Sequence, residues 1–419
     1  MSLQGPLIVV AEQPAAQLVE LLREAGAFPV VETKWTDAPT ALVAVKPNAI
    51  VVAEPGPPPS ETGARMLCLQ VATSTGPIIP VVALTQDNDE AAIPIAVPVD
   101  MNGPDDRLLA RLRGGLRVRA LHQTVLRRIE TYGSASGRLP TLPVGDALEE
   151  ATVMIMGRGQ TYPALSVAWG NRVKMVGALS VEAAAQNLAS RDINGVVIAE
   201  GLNPRMVEAF LRVLSDEAKY RDIPIAVLGD ELPDMAHDMS NVDLVSGDAS
   251  RVVSHMVPRV RLNALEARLN RMLKALETEG MFDPETGLMA QNGFWAELAK
   301  AMSEANKQSQ ALSVARLAFD GSPERRTQFD AARLATRLIR NIDFAGRDDD
   351  GAILVAFTQT DLHEGHIVAR RLAGALKKAM LGPGHVPVTA NVTLAAMKAN
   401  DSVDSLMARV AGAQTVAAE

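Results

Sequence analysis

Arg340 and Asp343 stand three residues apart in RLIRNIDFAGRDDDGAILVAF, the stretch from Arg337 to Phe357. A guanidinium offers paired N–H donors and a flat face, and a carboxylate accepts, so the two can meet the edges of a polar ligand. The same spacing also suits a plain surface ion pair, worth roughly 0.2–1 kcal/mol. Just beyond, Asp348, Asp349 and Asp350 crowd one hairpin turn, a geometry that Asp tolerates well. Other candidates offer less. His363, Glu364 and His366 form HExH, which lacks the i, i+4 histidine spacing of a zinc-protease helix. Gly157 to Gly159 reads GRG after an apolar run but lacks the GxGxxG of a dinucleotide fold. No nucleophile, base and orienting acid can be assembled. Cys68 is the only cysteine, which excludes an intrachain disulfide and a Cys/His zinc set.

The segment around Arg340 reads as the end of a helix, a charged hairpin and an apolar strand. A helical stretch ending near Ile342 would place Arg340 and Asp343 on one side. With 419 residues the chain suggests about three domains. Its 47% hydrophobic and 21% charged content is globular, and its net charge of -8 disfavours broad binding of nucleic acid or anionic membranes. The N-terminus lacks the basic and long apolar regions of a signal peptide, and no apolar run approaches the ~20 residues that span a bilayer. The expectation is a soluble cytoplasmic protein with no leader to cleave.

An internal repeat recurs at a period of roughly 145 residues, the length of a duplicated domain. NAIVVAE (Asn48 to Glu54) matches NGVVIAE (Asn194 to Glu200), and IPVVAL (Ile79 to Leu84) matches IPIAVL (Ile223 to Leu228). RVRAL (Arg117 to Leu121) echoes RVRLNAL (Arg259 to Leu265). Apolar runs such as LIVVA and TVMIM alternate with amphipathic patterns such as QLVELLREAG and PRMVEAFLRVLSDEA, which predicts parallel sheets covered on both faces. GSASGRLPTLPVGD, Gly133 to Asp146, reads as a linker. Leu262, Leu265, Leu269, Met272 and Leu276 form a short a/d seam, open to two readings: a helix packed on its own domain, or a stalk that pairs two protomers. The resulting divisions are 1–132, a linker at 133–150, 151–262, a connecting helix at 263–281, and an α+β region at 282–419.

The two N-terminal repeats resemble the receiver domains of response regulators, which implies flavodoxin-like folds with parallel five-stranded sheets. Receiver phosphotransfer needs an acidic pair for Mg²⁺, a phosphoacceptor Asp, a Ser/Thr and a Lys-Pro. The first repeat has Ala11-Glu12 at the acidic pair, Ala53 or Glu54 at the acceptor, Thr85, and Val97-Pro98 in place of Lys-Pro. The second has Gly157-Arg158, Ala199 or Glu200, and Gly229. Both repeats are expected to be degenerate receivers that serve as interaction or dimerisation surfaces. Glu54 and Glu200 either mimic a charged state or are simply polar strand-end residues.

The C-terminal region resembles the GGDEF domain of diguanylate cyclases. FDPETGL at Phe282 to Leu288, Phe294, the strand ALSVARLAFD, and RNID five residues ahead of a hairpin carry the likeness. The family signature runs DxLTGL, DxD, RxxD and, after five residues, GGDEF. Ala318 stands at the metal-binding Asp, and Asp320 matches the second Asp. Only nineteen residues separate Asp320 from Arg340, shortening the segment that holds guanine in the family. Asp349, Asp350, Gly351, Ala352 and Ile353 occupy the GGDEF positions. Carboxylates where glycines should admit a triphosphate repel it by about 1 kcal/mol per charge pair near 4 Å in water. The expectation is a degenerate cyclase domain without catalytic residues.

In that family RxxD is an inhibitory site for the product, cyclic di-GMP. The resemblance implies that Arg340 and Asp343 bind this ligand together with Arg371, which stands eighteen residues past Ile353 in HIVARRLAGALKK. A guanidinium suits guanine O6 and N7, and a carboxylate suits its N1–H and N2–H. No cofactor or metal is expected. The order of receivers, helix and GGDEF domain is similar to that of non-catalytic members of the family. This implies a dimeric adaptor in cell-cycle control, located at the cell pole, that brings CtrA with the accessory protein RcdA to the ClpXP protease. A scaffold without nucleotide binding and an enzyme that turns over GTP remain the other readings.

Overall fold

The computed structural model describes residues 3, 5–86, 91, 93–136, 145–157, 161–229, 232–276, 282–283, 286–289, 291–319, 325–348, 350–379 and 390–412. Asp320, Asp349, Arg158 and the middle of the expected linker therefore lie outside the described residues. Two compact units emerge: Met1–His122 with Pro143–Leu269, and Gln123–Leu142 with Asn270–Glu419.

The N-terminal unit holds two sheets of the same design. The first repeat runs β1 (Leu7–Val10), α1 (Ala16–Glu24), β2 (Val30–Thr33), α2 (Ala38–Val45), β3 (Ala49–Val52), α3 (Glu61–Ala72), β4 (Val81–Thr85), β5 (Val97–Asp100) and the start of α4 (Asp105–Ser136). The second runs β6 (Thr152–Met156), α5 (Thr161–Trp169), β7 (Lys174–Ala178), α6 (Val181–Ser190), β8 (Gly195–Ile198), α7 (Pro204–Asp216), β9 (Ile225–Leu228), β10 (Val242–Val245) and the start of α8 (Ala249–Leu276). The orders are β2-β1-β3-β4-β5 and β7-β6-β8-β9-β10, all parallel. This is the flavodoxin-like order that the receiver resemblance implies, and its strands are parallel as the alternating apolar runs predict. β1, β3 and β8 are buried along their whole length, as strands covered on both faces must be. Each sheet carries one apolar cluster per face, Leu7 with Leu22 and Leu112 on one side of the first and Ile8 with Trp35 and Leu67 on the other. In both repeats the described residues between the fourth and fifth strands form no α-helix; a short 3-10 turn at Asp234–Asp238 stands there in the second.

The C-terminal unit is α+β: α9 (Gln291–Gln308), β11 (Leu312–Phe319), α10 (Arg325–Leu338), β12 (Phe344–Arg347), β13 (Ile353–Thr358), α11 (Leu362–Ala379), β14 (Ala390–Ala396) and α12 (Val403–Gly412). Its sheet is antiparallel in the order β12-β13-β11-β14. Apolar clusters fill both faces, Leu317, Val355 and Leu372 on one and Phe294, Val314 and Leu354 on the other.

Of the a/d seam, Leu269 and Leu276 are buried within this chain, and Leu262 and Leu265 pack against the clusters of the first and second sheets. Over this stretch α8 lies on its own chain. Among the described residues no helix is long and apolar enough to cross a membrane.

Candidate functional site

The helix expected to reach Ile342 ends at Leu338, and Arg340 to Asp343 form a tight turn instead. The Asp343 N–H donates to the Arg340 carbonyl at 2.9 Å, and the Arg340 N–H donates to Asp343 Oδ2 at 3.2 Å. A turn brings residues i and i+3 together as a helix would, but here the carboxylate spends a lone pair closing it. Asp343 Oδ1 accepts from the Thr358 N–H on β13 at 3.1 Å, tying the turn to the sheet. Asp343 as a whole is 4% exposed. Burial pushes its carboxyl up to about 6, against the pull of the Arg340 and Thr358 N–H groups and the nearby Arg340 charge.

A recess of about 600 Å³ opens beside this turn, and both Arg340 and Asp343 line it. Arg128 of α4, Lys274 of α8 and Arg337 of α10 also stand on its wall. Arg128 is buried; it donates to the carbonyls of Asn341 and Asp343 at 3.4 and 3.1 Å and lies 5.4 Å from the Phe282 ring centroid. It therefore holds the turn by its backbone while walling the recess. Arg340 and Arg337 are exposed, and neither guanidinium donates a hydrogen bond to another described residue. Arg371 is exposed on α11 and does not line the recess. Ala369, Leu372, Ala373 and Leu376 turn inward from the same helix, and its periodicity leaves Arg371 on the solvent side.

Arg337 was readable from sequence, one helical turn ahead of Arg340. Arg128 carries no such signal, lying 215 residues from Asp343 along the chain.

The aspartates of the hairpin have a partner of their own. Arg316 on β11 donates from Nε to Asp348 Oδ2 at 3.0 Å, and its other arm donates to Asp350. Asp350 Oδ1 also accepts from the Ala352 N–H at 3.1 Å. The cluster of like charge is thus answered by one guanidinium from the neighbouring strand. Ala318 lies two residues further along β11, paired with Asn391 of β14.

In the first repeat, Glu54 Oε1 accepts from the Glu12 and Gln13 N–H groups, both at 2.9 Å, and so pins the loop after β1 to the end of β3. Thr85 is buried and donates to the Val99 carbonyl at 3.2 Å, its hydroxyl turned into the sheet. Glu200 in the second repeat is exposed.

No protein-family model matches the chain, and no curated protein matches it. Solved structures are similar to part of it. The coiled coil and GGDEF domain of DgcB from Caulobacter crescentus, in complex with c-di-GMP, is 19% identical over 35% of this chain and 84% of that one, with a TM-score of 0.30. The diguanylate cyclase SiaD from Pseudomonas aeruginosa, in complex with its activator SiaC, is 19% identical over 39% of this chain and 67% of that one, with a TM-score of 0.32. The GGDEF domain of FimX from Pseudomonas aeruginosa is 16% identical over 32% of this chain and 90% of that one, with a TM-score of 0.28.

Proposed function

We propose that the chain is a non-catalytic effector of cyclic di-GMP, taken up by the C-terminal unit beside the Arg340 to Asp343 turn. One observation carries this reading: a recess of about 600 Å³ walled by Arg128, Lys274, Arg337 and Arg340. Four cations around one concavity suit a compact ligand with two phosphates. Arg340 supplies paired donors for guanine O6 and N7. Asp343, which keeps lone pairs beyond those used by Arg340 and Thr358, accepts from guanine N1–H. Arg371 belongs to the proposed set as an outer contact from the exposed side of α11. Against turnover of GTP stand Ala318 at the metal position and the Arg316 clamp on Asp348 and Asp350.

Isothermal titration of the full chain with cyclic di-GMP tests the proposal. Micromolar or tighter binding, abolished in Arg340→Ala, is the expected result; no heat with the intact protein sinks it. A nucleotide-free scaffold is the second reading, favoured by one feature: both Asp343 oxygens already accept from the protein.

The domain order is similar to that of PopA, the non-catalytic paralogue of the response regulator PleD. On that resemblance we extend the proposal to a dimeric, polar adaptor that delivers CtrA, with RcdA, to ClpXP. Reconstituted degradation of CtrA should then speed up when this chain and cyclic di-GMP are added together, and not when Arg340→Ala replaces it.

A further inference from the structure

The N-terminal unit contains a small cleft of about 80 Å³ between α4 and α8. Water occupies about 30 Å³ per molecule in the liquid, so the space exceeds that of a single water. Its polar end is made by Arg111 and Arg259, both buried. These two guanidinium groups share one carboxylate, Asp243 on β10. Arg111 reaches it at 2.8 Å, Arg259 bonds the other oxygen, Arg107 stands at 3.7 Å, and His255 Nε2 lies 2.8 Å away. Three permanent cations thus meet a single anion. Arg117, at the other end, is answered by Asp222 and Glu266, each at 3.0 Å. Three arginines face one carboxylate at the Asp243 end and one arginine faces two carboxylates at the other, so the surplus positive charge lies on the Arg111 and Arg259 side.

The unspent donors lie on the same side. The Nε–H of Arg111 and that of Arg259 are buried and have no protein partner. Burial, and then the charge of Arg111, push the Arg259 guanidinium down to about 9, as expected of a cation short of counter-charge. Water could take up the loose N–H groups, but it would leave the surplus charge where it is, and an uncompensated buried charge is costly. Ser240, exposed at the rim, offers a further hydroxyl and a way in.

We infer that this cavity is a binding site for a small oxyanion of the phosphate or sulfate class, held by Arg111 and Arg259 in the N-terminal unit. The inference is independent of the dinucleotide reading, since every group it uses lies in the other unit.

Thermal unfolding of the full chain in inorganic phosphate, sulfate or chloride at one ionic strength provides the test. The midpoint should rise by about 2–4 °C once phosphate or sulfate exceeds its dissociation constant several-fold. Chloride should leave it unchanged. Ser240→Asp puts a carboxylate at the exposed rim without touching the buried ion pairs, and it should abolish the rise. Crystals soaked in selenate should show an anomalous peak about 4 Å from the donor nitrogens of both guanidinium groups, one N···O hydrogen bond plus one Se–O bond away. An equal rise in chloride would reduce the effect to screening. A rise that survives Ser240→Asp, or a cavity without a selenate peak, places the ion elsewhere and overturns the assignment.

Discussion

A carboxyl group shut away from water holds its proton longer, and Asp343, pushed up to about 6 chiefly by burial, changes charge within the range of ordinary buffers. Ionised, it can accept from guanine N1–H; protonated, it has an O–H in place of one acceptor. Affinity for cyclic di-GMP is therefore expected to fall as pH drops from 7 to 5, with a midpoint near 6. Titrations at half-unit steps would show it, and a flat profile would separate Asp343 from the ligand. Arg316 calls for a different expectation. Its partner Asp350 is 57% exposed, so solvent screens the pair and Arg316→Ala should cost no more than about 1 kcal/mol in urea unfolding. A larger loss would mean that the clamp organises the whole hairpin.

Among the elements, α4 is largely covered along its length, with Asp105, Asp106 and Glu130 exposed among its described residues, and it carries buried polar groups near its C-terminal end. In the C-terminal unit Arg127 of this helix donates to Glu297 of α9 at 2.7 Å and to Glu304 at 3.0 Å, while Thr131 donates to the other Glu297 oxygen at 2.9 Å. Glu297 has no exposed surface. Arg127→Met alone removes the nearest counter-charge of that carboxylate, leaving Thr131 and, at 3.9 Å, Arg128 Nε, and should cost up to about 3–5 kcal/mol, whereas Arg127→Met with Glu297→Met should recover most of the loss. A double-mutant cycle by denaturant unfolding reads the difference. None of this network was legible in the sequence, because Arg127 and Glu297 lie 170 residues apart and each looks like an ordinary charged helix residue. The strands were legible for the opposite reason. TVMIM is β6 and NAIVVAE contains β3, since a buried parallel strand must be apolar throughout and announces itself within five residues. RNID shows where the limit falls. Its residue types and spacing are plain in the chain, yet the direction of the Asp343 carboxylate depends on a turn, and the turn depends on Thr358 of a strand not yet paired when the segment is read alone.

Taken over the full chain, two buried titrating groups make opposite demands on pH. His255, in the N-terminal unit, has its imidazole pushed below the usual 6.5 by burial, against the pull of Asp243 and with the further push of Arg259 and Arg111. Its unfolded form takes up the proton first, so its contribution to stability is present above pH 6.5 and is lost as pH falls through that value. Asp343, in the C-terminal unit, runs the other way: its folded form holds a proton from 3.8 up to about 6, so stability is greatest below 3.8 and declines as pH rises through about 6. Between pH 7 and 5 the two slopes oppose each other, and the chain as a whole should show a weaker pH dependence than either group dictates. Removing one group exposes the other. His255→Gln should make the protein gain stability relative to wild type as pH falls from 7 to 5, and Asp343→Asn should make it lose stability over the same interval. Denaturant unfolding of the three proteins at pH 5, 6 and 7 decides the matter, because a common slope for all three would mean that neither buried group changes protonation on unfolding in this window.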